Sequence, residues 1–266
     1  MTSAEHSSSE HPSAVTDRAR LVGHAYRDAR DLAARQALYA HQTPRHDLPG
    51  LVAGQLAGVR GWLADVGCGN GLFLERLRRE HRVLGLDLSP GILTGLPGPV
   101  GVADAVQLPL ADRSLGGAIA MHMLYHVPDV WAAVGELARV VEEGGVVIVS
   151  TNGRADKAEL GELWRRAAGE VTGTAPPPVS LGARFTLEDA PGLLGEWFGE
   201  VEVVRLPGVI RVVEPEPVVA YLASYRAWAD ELGVPFGETV ARVRELLVGE
   251  GEFVVRTEAG VVVCRV

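Results

Sequence analysis

Gly67, Gly69 and Gly71 stand on alternate positions directly after the apolar run Trp62-Leu63-Ala64-Asp65-Val66, and a second apolar run, Val83 to Leu86, ends on Asp87. Backbone without a Cβ can take positive φ and lie against a ligand, and free N–H groups that open a following helix would face it. A carboxylate about twenty residues further on sits where an acid takes a ribose diol. Strand, glycine turn, helix, strand and acid together predict the first half of a nucleotide-binding βαβ unit. Two ligand classes compete for such a turn. The dinucleotide fingerprint G-x-G-x-x-G needs glycine at a position held here by Leu72. Asp65, two residues before Gly67, repels a diphosphate and suits a cation, because like charges at contact distance repel and opposite ones attract. A positively charged nucleoside is therefore favoured, and an NAD-type cofactor is the weakest reading.

Asp65-Val66-Gly67-Cys68-Gly69-Asn70-Gly71 resembles the first motif of class I S-adenosylmethionine (SAM)-dependent methyltransferases, in particular their type 11 group. The resemblance continues in three further blocks. Ala103 to Leu110 is similar to the segment after the third strand, Ala118 to Asp129 to the fourth strand and its exit, and Leu137 to Val149 to the helix, Gly-Gly turn and fifth strand. One departure is Ser114-Leu115-Gly116-Gly117, where the family usually has Ser-Phe-Asp; that acid lies at a strand start, away from the cofactor. The resemblance implies SAM as cofactor and S-adenosylhomocysteine (SAH) as product. It implies Asp65 near the ammonium, the Gly67, Cys68, Gly69 and Gly71 loop under the amino-acid part, and Asp87 with Leu88 at the ribose. Asp104 and Ala105 would then lie at the adenine and His122 beside the cofactor.

The elements that must position these groups follow from periodicity and punctuation. The expected fold is α/β, and the resemblance implies a Rossmann-like, doubly wound, seven-stranded sheet with an antiparallel last strand, an N-terminal helical lid and a helical insertion before the final strands. Residues 1–16 read as a disordered, solvated tail, being polar and without an apolar core. Residues 17–59 read as the lid, a long helix from Asp17 with Leu21, Ala25, Ala29, Leu32 and Gln36 on one face, then a second from about Leu51. Residues 60–266 form the SAM-binding domain, with a substrate-covering insertion over about 153–235 that includes the stiff Pro176-Pro177-Pro178 stretch. Leu72, Leu74 and Leu77 should pack their helix on the sheet, and Trp131, Val134, Leu137, Ala138 and Val141 should form the buried face of the helix capped by Asp129. Alternation around Glu258-Ala259-Gly260 predicts a terminal hairpin.

Strand four should end beside strand one, where the sheet order reverses and α/β proteins bind ligands. His122, Tyr125 and His126 emerge there. A histidine titrates near working pH and could take a proton from an attacking hydroxyl or amine; a structural or cofactor-shelf role is the plain alternative. His126 and, from the lid, Tyr26 are the catalytic candidates. Arg30, Tyr39 and His46 are further lid residues that could meet a substrate, Asn152 leaves strand five on the substrate side, and Tyr221, Tyr225 and Trp228 could wall the pocket.

Composition narrows the partners. The 266 residues are 47% apolar, enough for one large domain with additions. A net charge of −9 and a pI near 5.4 give no electrostatic footprint for nucleic acid or an acidic membrane. Cys68 and Cys264 cannot build a disulfide framework, which fits a reducing cytoplasm, and no secretion signal or membrane span is apparent. No divalent-metal ligand cluster is visible, so the expected reaction is metal-independent in-line transfer to a small-molecule acceptor by a monomer or homodimer. Two rivals share the fold: a SAM-fold enzyme that performs a cyclisation or rearrangement instead, and a non-catalytic SAM-binding regulator.

Overall fold

The apolar runs of the sequence pair into one sheet. The computed structural model describes residues 14–174, 184–228 and 233–266. Its eight strands are β1 (Gln42–Thr43), β2 (Trp62–Val66), β3 (Arg82–Asp87), β4 (Val100–Val102), β5 (Leu115–Met121), β6 (Val141–Asn152), β7 (Glu200–Val212) and β8 (Phe253–Arg265). They lie in the order β1-β7-β8-β6-β5-β2-β3-β4. Strands β2 to β6 pair in parallel, whereas β8 runs antiparallel to both β6 and β7. The chain steps outward from β2 to β4 and then returns to β5 on the other side of β2. Their carboxyl ends therefore flank the crevice where the connections diverge.

Both faces of the sheet are covered. On β5, Ala118 and Ala120 face the helix α4 (Val130–Val140), which buries Ala133, Val134 and Leu137. Ile119 and Met121 face the opposite side, where α2 (Leu48–Gln55) and α3 (Leu72–Leu77) bring Val52, Leu74 and Leu77. This alternation, with every residue of the strand buried, is the signature of a parallel strand between two helical layers. Asp129 caps α4 by accepting the Ala132 N–H at 2.9 Å. Helices α5 (Ala158–Thr172), α7 (Glu216–Ala223) and α8 (Phe236–Glu250) form a third apolar cluster over the far ends of β7 and β8, around Trp164, Val218, Val243 and Val255. The short α6 (Ala190–Leu194) closes the α4 face.

Several expectations need correction. The sheet has eight strands rather than seven, because Gln42 and Thr43 pair with Ile210 and Val209 on the outer side of β7. The terminal hairpin is instead one continuous strand paired with β7 from Phe253 to Arg265. Gly260 marks a close crossing, not a turn: a Cβ there would lie 2.5 Å from Leu187. The N-terminal helix is broken. One turn (Arg18–Arg20) leads into a π-helical turn (Leu21–Ala25), and α1 (Arg30–Ala37) starts only after Asp28 accepts the Arg30 N–H at 3.0 Å. Ala14–Thr16, read as part of the solvated tail, form a 3-10 turn with Thr16 buried; residues 1–13 and the triple-proline stretch lie outside the described residues. Leu72 and Trp131 are each more than two-fifths exposed rather than packed on the sheet. The buried stripe of α4 runs through Ala133, Val134, Leu137 and Val140, and Trp131 lies against Trp197 at 5.1 Å between ring centroids.

Candidate functional site

At the carboxyl edge of β2 the chain turns through Gly67 (φ 71°) and Gly69 (φ 52°). A Cβ on Gly67 would sit 2.7 Å from Met123, and one on Gly69 2.9 Å from Leu32. Positive φ favours glycine at both positions, and at Gly67 the inner atoms of Met123 also leave no space for a Cβ. The loop is tied to β3: Gly67 and Cys68 N–H donate to the Leu86 carbonyl at 2.7 and 2.9 Å, and Gly69 N–H donates to Asp87 Oδ2 at 2.9 Å. Gly71 N–H donates back to the Cys68 carbonyl. These four donors are committed within the protein, so they are not the free N–H groups that the motif alone suggests; what the loop offers a ligand is close-lying backbone. Asp87 Oδ1 also accepts the Ser89 N–H at 2.9 Å. Burial raises the Asp87 carboxyl above its ordinary value, and the N–H groups of Ser89 and Gly69 oppose that rise.

Asp65 lies beneath this loop, fully buried, and neither of its carboxylate oxygens has a hydrogen-bond partner. Burial, reinforced by the charge of Asp87 and opposed by Arg78, pushes its pKa up to about 8. Such a group carries a proton at neutral pH unless a cation arrives.

The crevice above is a cavity of about 590 Å³, within the usual range for small-molecule sites. Gly67, Cys68, Gly69, Asp87 and Leu88 line one part of it, and Asp104 and Ala105 the wall beyond. Asp65 and Gly71 do not reach the cavity surface; Gly71 holds the left-handed position before α3. Asp104 accepts the Val106 N–H on Oδ1 at 3.2 Å and pairs through Oδ2 with Arg18 at 2.8 Å. The N-terminal segment touches the glycine loop too, where Asn70 Nδ2 donates to Gln36 Oε1 at 2.8 Å.

The opposite part of the cavity is built from side chains. His122 follows β5 with φ 52°, and its N–H donates to Ser150. His126 sits in a 3-10 turn, Leu124–His126. Its Nδ1 faces the Val15 carbonyl at 3.0 Å, which can only accept, so Nδ1 carries the proton and Nε2 is left to accept. The Tyr26 hydroxyl donates to that Nε2 at 2.7 Å. Trp228 stacks on the His126 ring at 6.2 Å. Burial, partly opposed by the Val15 carbonyl, brings the His126 pKa down to about 4; burial and the charge of Lys157 bring His122 to about 4 as well. Both rings are neutral at pH 7. Burial raises the Tyr26 phenol and Arg35 opposes it.

The two catalytic candidates from sequence thus meet, although 100 residues separate them. Tyr39, His46, Asn152, Tyr221 and Tyr225 also line the cavity. Arg30 does not: its side chain pairs with Asp28 at the surface. Sequence reasoning missed Arg35 and Lys157. The Arg35 guanidinium lies 5.2 Å from the Tyr26 ring, and Lys157 donates to the Tyr39 hydroxyl at 2.8 Å and pairs with Asp156. Lys157 is the only lysine of the chain, a signal that could have been used; Arg35, one arginine among many, gave none. Among the described residues no cluster of three or more His, Cys, Asp or Glu side chains could hold a metal ion, and no helix is long and apolar enough to cross a membrane.

Residues 64–149 match the family model of the methyltransferase domain. Over 114 residues the chain is 35% identical to the malonyl-[acyl-carrier protein] O-methyltransferase of Serratia marcescens, the match covering 41% of this chain and 45% of that protein. Over 133 residues it is 38% identical to the ubiquinone biosynthesis O-methyltransferase of Alkalilimnicola ehrlichii, covering 44% and 54%. The match thus spans about half the length of these curated relatives. A SAM-dependent methyltransferase of Thermotoga maritima superposes with a TM-score of 0.51 at 18% identity, over 94% of this chain and 99% of that one. That likeness is one of fold.

Proposed function

We propose that the chain, whose residues 64–149 match the methyltransferase domain model, is a SAM-dependent methyltransferase that transfers a methyl group to a small-molecule acceptor enclosed by the N-terminal segment and the wall of α7. The observation that carries the proposal is the partnerless Asp65 beneath a glycine loop with no room for a Cβ. A buried carboxylate with both oxygens unmet fits a cationic amino-acid group and disfavours a diphosphate. Asp87, fixed by two backbone N–H groups, retains lone pairs on both oxygens for a ribose diol. Asp104, partly exposed and paired with Arg18, keeps acceptor capacity for an adenine amino group, with Ala105 and Leu88 beside it as apolar walls. His122, neutral and turned into the cavity by its left-handed backbone, takes the place between cofactor and acceptor.

When bound, SAM supplies an electrophilic methyl group on a sulfonium centre. The residues of the chain mainly fix the acceptor in line, since orientation alone accounts for much of the rate in such displacements. For a neutral hydroxyl nucleophile, Tyr26 accepts the acceptor's proton on its oxygen while passing its own to Nε2 of His126. A base whose pKa lies near 4 suffices for a late transfer, because an alkylated hydroxyl is far more acidic than an imidazolium. A carboxylate or thiolate nucleophile needs no relay.

The test is incorporation of labelled methyl. Purified protein supplied with methyl-labelled SAM and a fraction of small metabolites should yield a labelled organic product together with SAH. Unlabelled product formed in the presence of SAH would instead indicate a rearrangement, and a tight SAM complex without turnover across a broad acceptor panel would indicate a regulator.

A further inference from the structure

The acceptor end of the cavity holds a sheltered positive charge with no carboxylate against it; Arg45, which also lines the cavity, is exposed to solvent. Lys157 is matched by Asp156, and His122 and His126 are neutral. Arg35 of α1 lines the same cavity, yet among the described residues no carboxylate lies within ion-pair distance of it. It donates to the Ser224 carbonyl at 3.3 Å and interacts with the Tyr26 hydroxyl, while Nη2 is buried with no hydrogen-bond partner. In a chain of net charge −9 an unmatched, sheltered guanidinium is a costly arrangement unless a ligand completes it.

The surroundings define what would complete it. The rings of Tyr26, Tyr225 and Trp228 lie 5.2, 5.5 and 6.0 Å from the guanidinium carbon, so aromatic surface occupies the space around the cation. Rings soften an unpaired cation but accept no N–H···O bonds along its edge. A planar edge with unspent donors matches a planar carboxylate, which takes two parallel N–H···O bonds. Tyr26 and Tyr225, which line the cavity, offer apolar ring surface for an unsaturated or aromatic body attached to that acid.

We propose that Arg35 anchors a carboxylate of the methyl acceptor beside these rings, making the acceptor an organic acid. The inference rests on the methyl-transfer reading of the same cavity. Its test uses the full chain saturated with SAH and three acids, benzoate, phenylacetate and cinnamate, each compared by calorimetry with its primary amide. At least one acid should bind ten times or more tightly than its amide, the scale of a lost charge-assisted hydrogen bond. Arg35→Gln should abolish that preference, Arg35→Lys should keep part of it, and SAH affinity should stay within about twofold of wild type in both. Equal binding of acid and amide in the wild type, no binding of any acid, or a preference that survives Arg35→Gln would overturn the proposal. The wild-type comparison decides it even if a variant fails to fold. Failure of wild-type protein to bind SAH is a separate result, which would remove the methyl-transfer reading and this inference with it.

Discussion

The two halves of the cavity are built on different principles. The half proposed for the cofactor is backbone: a glycine loop, two strand ends and the carboxylate of Asp87, with the Gly69 to Asp87 hydrogen bond bridging only 18 residues. The acceptor half is side chains gathered from distant elements, with Tyr26 and His126 separated by 100 residues, Tyr39 and Lys157 by 118, and Arg35 and Ser224 by 189. On the proposed reading, the first arrangement would hold a constant ligand through shape that few residue types can supply. The second can be altered one side chain at a time without disturbing the loop. Cofactor binding and acceptor choice should therefore separate under mutation.

The largest expected effect is in the cofactor half. Gly67→Val should weaken SAH binding on the order of 100-fold, since strain of about 1–3 kcal/mol at a positive φ adds to overlap with Met123. Calorimetry reads the loss, and circular dichroism of the same sample separates it from unfolding. Asp87→Ala should cost roughly 10-fold to 100-fold in SAH affinity, as expected for about 1.5–3 kcal/mol of charged hydrogen bonding; near-wild-type affinity would remove Asp87 from the ribose.

Asp65 gives a smaller, proton-linked signature. Its pKa of about 8 in the free protein means that a cation arriving above the loop should draw off its proton at pH 7. SAM binding should strengthen as pH rises toward about 8, and titrations in buffers of different ionisation heat should detect proton release that Asp65→Asn abolishes. An unchanged proton count in that variant would break the assignment of Asp65 to the ammonium.

Substitutions in the acceptor half should leave SAH binding untouched. Tyr26→Phe removes one hydrogen bond and should lower stability by about 1 kcal/mol, measured by chemical denaturation, while methyl transfer to a neutral hydroxyl nucleophile falls. The folded pKa of His126, about 4, lies below its ordinary value of 6.5, so its contribution to stability is complete above about 6.5 and is lost as pH falls toward about 4. His126→Gln should flatten the acid limb of the stability profile, leaving the part due to His122. A sizeable loss of SAH affinity in either variant would contradict the division into halves.

Legibility in sequence follows the same division. The glycine spacing, Asp65, Asp87 and the parallel strands could be read because each depends on neighbours within one βαβ unit. Tyr26 and His126 could be singled out separately, yet nothing in either stretch says that they meet, because their contact depends on the helix break at Asp28. Gly260 is ambiguous in sequence for a related reason: a glycine that permits a turn and one that admits Leu187 against the backbone look identical in one dimension. Arg35 is invisible as a site residue until the tertiary fold shows that its charge has no partner.

The most direct test of the central claim is a calorimetric titration of the folded, purified chain with SAH. The account predicts saturable binding at one site per chain. No binding at millimolar SAH, with the protein shown to be folded in the same sample, would contradict it.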